Sequence, residues 1–325
     1  MALRTRLTEK LGIEHPVLSA PMAFVGGGKL AAAVSSAGGL GLIGGGYGDA
    51  LWLDEQFLAA GNTPVGCGFI TWSLAQNPEL LDQVLERKPR AIFLSFGDPV
   101  PFGAQIADAG TLLICQVQTM ADARSAVEAG TAVIVAQGAE AGGHAGSRAT
   151  YPLVPEVADY LAKAAPDTVL CAAGGIADGR GLAAALMLGA DGVLVGSRFS
   201  AADEALVFPG WHDALVSADG DATVQTSIVD IARKRDWPER FSIRVVENNL
   251  IRTWSGREVE MRSAADTAAQ AYEKAAAAGD SDNYGVIVGE NVGLITGIEP
   301  AGAILERMVS EAEDLLKHAP SYLVS

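Results

Sequence analysis

The chain has 325 residues, 49% of them hydrophobic and 19% charged, enough apolar material for a large core and no sign of general disorder. Its 23 Lys and Arg against 39 Asp and Glu give a formal charge of −16, which argues against a phosphate-backbone partner and so against nucleic acid. No run of about 18 uninterrupted apolar residues is available to cross a bilayer, and the opening MALRTRLTEKLGIEHPVLSAPM lacks a signal peptide's apolar core, so a soluble, cytoplasmic protein with no membrane partner is expected.

Short apolar runs recur along the chain, each bounded by glycine, proline or charge: VLSA (17–20), LGLI (40–43), VGCGFI (65–70), AIFLSF (91–96), LLICQV (112–117), AVIVA (132–136), TVLCAA (168–173) and GVLVG (192–196). They predict eight strands. Their hydrophobicity is continuous rather than alternating, as parallel strands covered on both faces require. Between them lie segments with helical spacing at 28–38, 78–88, 119–130, 155–165 and 180–190. Pro78 and Pro155 near the starts, and Gly38 and Gly130 just past the ends, are the expected punctuation. Eight β/α alternations within about 200 residues favour an α/β fold of the closed (β/α)8 TIM-barrel type over an open doubly wound sheet. Cys67, Cys115 and Cys171 lie in these apolar runs without ligand spacing, so they read as reduced core thiols and no metal site is expected.

The alternation breaks after the eighth strand. Residues 205–280 carry tryptophans, charges and the alanine-rich SAADTAAQAYEKAAAAG, with Ser263 and Asp266 spaced like a capping box and Gly279 as terminator. This predicts a helical insertion or lid over 205–280 in a barrel made of 1–204 and 281–325. The returning segment puts Ile304, Leu305, Met308, Val309, Ala312, Leu315 and Leu316 on one helical face, as a final helix packing on the barrel would need.

In such barrels chemistry gathers at the carboxyl ends of the strands. There the sequence reads APMA (20–23), GGG (44–46), QVQ (116–118), QGAEAGGHAG (137–146), GGI (174–176) and GSRF (196–199). His144 thus sits above the barrel mouth on a loop stripped of bulk, which lets a planar ligand approach the backbone. Two glycine loops, one at Gly174 and Gly175 and one at Gly196 and Ser197, meet at the customary phosphate position of the fold. Glu140 is a candidate orienting carboxylate for His144, but a structural acid is at least as good a reading. His15, His212 and His318 default to structural roles.

QGAEAGGHAG, followed by AAGGIADGRG (172–181) and LGADGVLVGSRF (188–199), resembles the nitronate monooxygenase family, formerly called 2-nitropropane dioxygenases. The likeness covers most of residues 12–200 and VGENVGLITGIEPAGAILERMV (288–309). It implies an FMN-containing barrel that oxidises alkyl nitronates, and nitroalkanes too if a base removes their α-proton, with O2 to carbonyl compounds and nitrite. Carried over residue by residue, Ala20, Pro21 and Met22 would lie under the flavin, with Gln116, Gln137, Gly142 and Gly143 beside it. Gly174, Gly175, Gly196 and Ser197 would hold its phosphate, and His144 would be catalytic. Many relatives have asparagine at the end of the third strand, where this chain has Gly68 in PVGCG; Gln116 or Gln118 is the candidate replacement. Met22, Phe24, the loop after Gly44 and the insertion are expected to shape the pocket. The sequence leaves two other readings open, an NAD(P)H-dependent flavin enoyl-acyl-carrier-protein reductase and a flavin-binding protein without turnover. It also leaves self-association into a homo-oligomer open.

Overall fold

A computed structural model describes residues 3–322; residues 1–2 and 323–325, the outermost ends of the expected barrel segments, lie outside the described residues. Eight parallel strands form the barrel: Val17–Ser19, Leu42–Gly46, Gly66–Ile70, Ala91–Ser95, Leu112–Val117, Val133–Gln137, Val169–Ala173 and Gly192–Val195. From the second to the eighth, each pairs with its neighbours in sequence, and the first pairs with the eighth. The parallel bridge between Leu18 and Leu40 closes the circle between the first and second strands. Most strand residues are buried on both faces, which is why the sequence shows runs and no alternation.

The two faces make two cores. Inward-pointing Leu18, Leu42, Phe93, Ile114, Val135, Cys171 and Leu194 fill the barrel, and Leu7 and Leu11 of the helix Arg6–Leu11 join them. Outward-pointing Ile43, Cys67, Ile92, Cys115, Ile134 and Val193 pack against the surrounding helices. All three cysteines are free and buried, and burial pushes the thiols of Cys67 and Cys115 up to about 12 and that of Cys171 well above its ordinary value. They are inert core residues, as their surroundings predict. The last helix, Ala301–His318, packs on Gly179–Met187 and Gly28–Ser36 and so completes the helical ring. Its buried face is Ile304, Leu305, Met308, Val309 and Ala312, whereas Leu315 is exposed where the helix runs past the barrel.

Three local expectations need correction. Gly44 to Gly46 belong to the second strand, with a register shift there; a side chain at Gly44 would collide with the Met22 carbonyl, so the strand end and the first loop can meet only through glycine. The helix expected from Pro155 begins at Thr150 and carries Pro155 inside it, because the Glu140 carboxylate accepts the Thr150 N–H at 3.0 Å and anchors the earlier turn. Ser263 and Asp266 form no capping box: Ser263 ends the helix Glu258–Ser263, its hydroxyl donating to the Val259 carbonyl, and Asp266 pairs with Lys234. Gly279 does terminate the helix Ala265–Ala278 in the left-handed conformation.

The insertion is mostly helical, but it also contains the strands Thr223–Thr226 and Ser242–Val246. These form an antiparallel three-stranded sheet whose third member is Gly143–Ala145, from the loop after the sixth barrel strand. A separate apolar core, including Trp211, Ile228, Ile243, Met261 and Tyr272, joins the insertion to Tyr284, Val286, Val288 and Val292. No helix among the described residues is long and apolar enough to cross a membrane.

Candidate active site

The small sheet fixes the geometry of the histidine loop, residues 137–146. His144 lies opposite Ile243 and Gly143 opposite Arg244, so a glycine-rich segment with little structure of its own is held extended by the insertion. Arg244 locks the loop from behind: its Nε donates to the Ala139 carbonyl at 3.1 Å, Nη1 donates to Thr223 Oγ1 at 3.2 Å, and the guanidinium pairs with Glu290 at 2.9 Å. On the other side, the Glu290 N–H donates to the Glu140 carbonyl, and a Cβ at Gly142 would lie 2.5 Å from the Val288 backbone. Gly142 is therefore required for close packing, while Gly143 supplies a φ of 76° that favours glycine.

A cavity opens at the carboxyl ends of the strands. Ala20, Pro21, Met22, Gln116, Gln137, Gly142, Gly143, His144, Gly196 and Ser197 all line it, as do Tyr47 from the second-strand loop and Trp211, Arg233 and Trp237 from the insertion. Gly174 and Gly175 do not line it. Gly174 packs on Thr150 and Gly138, and Gly175 is exposed near Glu140. Phe24 stays at the rim, stacked on Tyr47 with ring centres 6.3 Å apart.

His144 is 8% exposed, and its Nε2–H donates to the Asp230 carboxylate, 2.9 and 3.0 Å from its two oxygens; the Asp230 side chain is itself 5% exposed. Burial holds the imidazole below its ordinary pKa; hydrogen bonding and charge from Asp230 act in the opposite direction, and Arg233 acts with burial. The neutral ring thus carries its proton on Nε2 and its lone pair on Nδ1, which has no hydrogen-bond partner among the described residues. Trp237 stacks on the same ring with centres 3.3 Å apart and planes 10° from parallel, and its indole N–H donates to the Tyr47 hydroxyl at 2.9 Å. Phe96 meets Trp237 edge-on at 5.1 Å. The histidine is a weak, desolvated base in an aromatic wall.

Glu140 plays no part in this pair. Its carboxylate accepts the N–H and hydroxyl of Thr150 at the start of the helix, which confirms the structural reading. The histidine's acid comes from the insertion, 86 residues away in sequence. Three buried glutamines form a second network: Gln116 and Gln118 both donate to Gln137 Oε1, at 3.1 and 2.8 Å, and Gln137 Nε2 donates to the His144 carbonyl at 3.2 Å. Of the two candidates to replace the third-strand asparagine, Gln116 lines the cavity and Gln118 does not. The departure at Gly68 has a steric cause: a Cβ there would lie 2.4 Å from Pro21 Cβ, so Pro21 occupies the room that an asparagine would need. His212 is a structural residue that contacts the Ser200 carbonyl at 3.1 Å, and His318 contacts the Asp314 carbonyl of its own helix.

The residues fit a bound flavin phosphate where glycines face open space. A Cβ at Gly196, on the cavity wall, would meet nothing nearer than Ala20 at 3.5 Å, which leaves the approach to its backbone clear; Gly175, outside the cavity lining, is open as well, with nothing nearer than Glu140 Cβ at 3.5 Å. Ser197 begins a short helical turn, and its hydroxyl oxygen accepts the Gly289 N–H at 2.9 Å, which orients it. Among the described residues no cluster of His, Cys, Asp or Glu has the arrangement of a metal site.

Asp230, Arg233, Trp237 and Tyr47 were not singled out from sequence. IVDIARKRDW has no spacing that ties it to His144, and only the pairing of Ser242–Val246 with the loop brings the two regions together.

The family model for nitronate monooxygenases matches residues 4–60 and 70–311. The nitronate monooxygenase npaC of Metarhizium robertsii is 34% identical over 94% of this chain and 93% of its own, and the nitronate monooxygenase of Neurospora crassa is 33% identical over 94% and 91%. The solved structure of FabK from Thermotoga maritima superposes with a TM-score of 0.86 at 32% identity, covering 98% of this chain and 99% of that one. The chain belongs to the nitronate monooxygenase family of flavin-dependent oxidoreductases.

Proposed function

We propose that the protein binds FMN and oxidises alkyl nitronates with O2 to carbonyl compounds and nitrite, and that it also accepts neutral nitroalkanes. The observation that carries this reading is the buried His144, neutral and tied through Nε2 to Asp230, in a cavity walled by aromatic and glycine residues. Bound FMN would supply the redox chemistry, accepting electrons from the substrate. Gly175, Gly196 and Ser197 would hold its phosphate; Ala20, Pro21, Met22, Gln116 and Gln137 would border its ring.

The chain's own residues then have three tasks. Nδ1 of His144 takes the α-proton of a nitroalkane, leaving the nitronate and an imidazolium whose Nε2–H stays bonded to the Asp230 carboxylate. Gln137 keeps the loop carbonyl of His144 fixed, so the ring does not swing away. Trp237, Phe96 and Tyr47 exclude water from the reacting carbon, which keeps the imidazole neutral and the anion in contact with protein.

The test is anaerobic and aerobic mixing of the purified yellow protein with a primary nitronate. Nitrite release with oxygen uptake supports the proposal. Flavin bleaching by NADH with no response to nitronate would assign the second reading, the enoyl-acyl-carrier-protein reductase, and no response to either would assign a carrier. Heat release and chromatography identify the flavin, and FAD in place of FMN would overturn the cofactor assignment, because the cradle is one phosphate wide and the chain has no strand-linked GxGxxG for a pyrophosphate.

A further inference from the structure

We infer that Arg233 is the substrate-anion ligand of this site, the side chain that receives the nitronate oxygens. The inference rests on the proposed nitronate reading and extends it. Among the residues lining the cavity Arg233 alone carries a permanent charge, and the rest of the lining is apolar, glycine or neutral polar. Its charge is unspent. Of the other basic side chains of the insertion, Lys234 pairs with Asp266, Arg240 with Asp122 and Arg244 with Glu290, while Arg235 lies over the Tyr47 ring, 4.1 Å from its centre, and does not line the cavity. The Arg233 guanidinium has neither an ion pair nor a hydrogen bond among the described residues; it lies 5.8 Å from the ring centre of Tyr47 and 6.0 Å from that of Phe24. In a chain of net charge −16, an unpaired arginine facing an apolar cavity is a site prepared for an anion.

Its placement explains the pairing with catalysis. The short helix Ile228–Ala232 presents Asp230 to the back of His144, and Arg233, three residues later at the end of the same helix, reaches the cavity itself. The Asp230 carboxylate is held by the neutral His144 ring and forms no ion pair with Arg233 among the described residues, so the guanidinium is left to face the cavity. A nitronate is a planar anion whose two oxygens match the fork of a guanidinium, and Tyr47, Phe96 and Trp237 offer its alkyl part an apolar surface. A neutral nitroalkane lacks that charge and gains the contact only after His144 has removed its proton.

The test uses the flavin-loaded protein and the variants Arg233→Met and Arg233→Lys. For Arg233→Met, KM for a primary nitronate should rise at least about tenfold while KM for the matching neutral nitroalkane changes by less than about threefold; kcat for the nitroalkane should fall, because the nitronate charge develops as His144 takes the proton, and Arg233→Lys should recover part of both losses. A second measurement needs no turnover: calorimetric titration with butyrate, an inert planar anion, against neutral butyramide. Wild type should prefer butyrate, and Arg233→Met should lose that preference with butyramide binding unchanged. Equal losses on charged and neutral ligands, or loss of FMN from Arg233→Met, would overturn the inference by making Arg233 a wall or cofactor residue. If the protein turns over no nitronate yet its butyrate preference depends on Arg233, the functional reading fails and the anion site stands.

Discussion

The two regions that meet over the cavity are built on opposite principles. The barrel contributes backbone: glycines at 142, 143 and 196, the small residues Ala20 and Pro21, and an amide network at Gln116 and Gln137. The insertion contributes side chains with chemistry, namely Asp230, Arg233 and Trp237, on elements with no symmetry or repeat. A surface that receives a planar cofactor needs close approach and few protrusions. A surface that binds and deprotonates a small substrate needs charge and aromatic bulk. His144 is the one functional residue belonging to both, since it sits on a barrel loop that has become the third strand of the insertion's sheet.

The sharpest way to break this division is at that shared residue. His144→Asn keeps a polar side chain of similar reach but cannot exchange a proton near neutrality. Turnover of neutral nitroalkanes should fall by about 10²-fold or more, and that of preformed nitronates by less, with FMN retained. Full activity on both forms would return His144 to a structural role. The same variant has a stability signature. The folded-state pKa of His144 is depressed, so below about pH 6.5 the unfolded chain takes up a proton that the folded chain resists, and stability is lost as pH falls. Thermal melts between pH 7 and 5 should therefore slope less for His144→Asn than for wild type.

The next effect tests the insertion's half. Asp230 raises the imidazole's proton affinity against burial, so Asp230→Asn should move the acid limb of the kcat/KM profile for nitroalkanes to lower pH. Activity at its optimum should fall about tenfold, the size of one charge-assisted hydrogen bond. An activity loss with an unmoved acid limb would mean that the residue supports the fold and not the base.

The division also explains what the sequence disclosed. Backbone-lined sites are written as local composition: a run of glycines after an apolar run can be read without knowing the partner, and so the barrel and the glycine-rich loop that brings His144 to its mouth were legible. Asp230 was not, because IVDIARKRDW acquires its meaning only when Ser242–Val246 pairs with the histidine loop. The two insertion strands were missed for a related reason, since TVQT and SIRVV are short and the first is only partly buried. At Gly68 the sequence showed an absence, and coordinates were needed to see Pro21 filling the place. Gly68→Asn should accordingly restore nothing: with Pro21 2.4 Å from the new Cβ, overpacking should cost about 1–3 kcal/mol, measured by chemical denaturation. Recovered stability in the double variant Pro21→Ala, Gly68→Asn would confirm the steric cause.

The smallest effect is the one that best isolates the comparison. Glu140 and Asp230 are both acids near His144, one four residues away in sequence and one 86. Proximity in the chain favours Glu140, yet its carboxylate is committed to Thr150, accepting the backbone N–H at 3.0 Å and the hydroxyl at 2.9 Å. It stands at the N-terminus of the helix Thr150–Ala164, where a negative charge also meets the positive end of the helix dipole. Glu140→Gln keeps an acceptor oxygen but removes that charge, so the expected loss is about 0.5–1 kcal/mol of stability. The base is untouched, and kcat/KM for nitroalkanes should stay within about twofold, with its acid limb unmoved. Denaturant unfolding and a pH profile measured side by side on Glu140→Gln and Asp230→Asn decide the matter. If Glu140→Gln shifts the acid limb as far as Asp230→Asn does, the nearby acid shares the proton chemistry, and the separation between a cofactor-holding barrel and a reactive insertion does not hold.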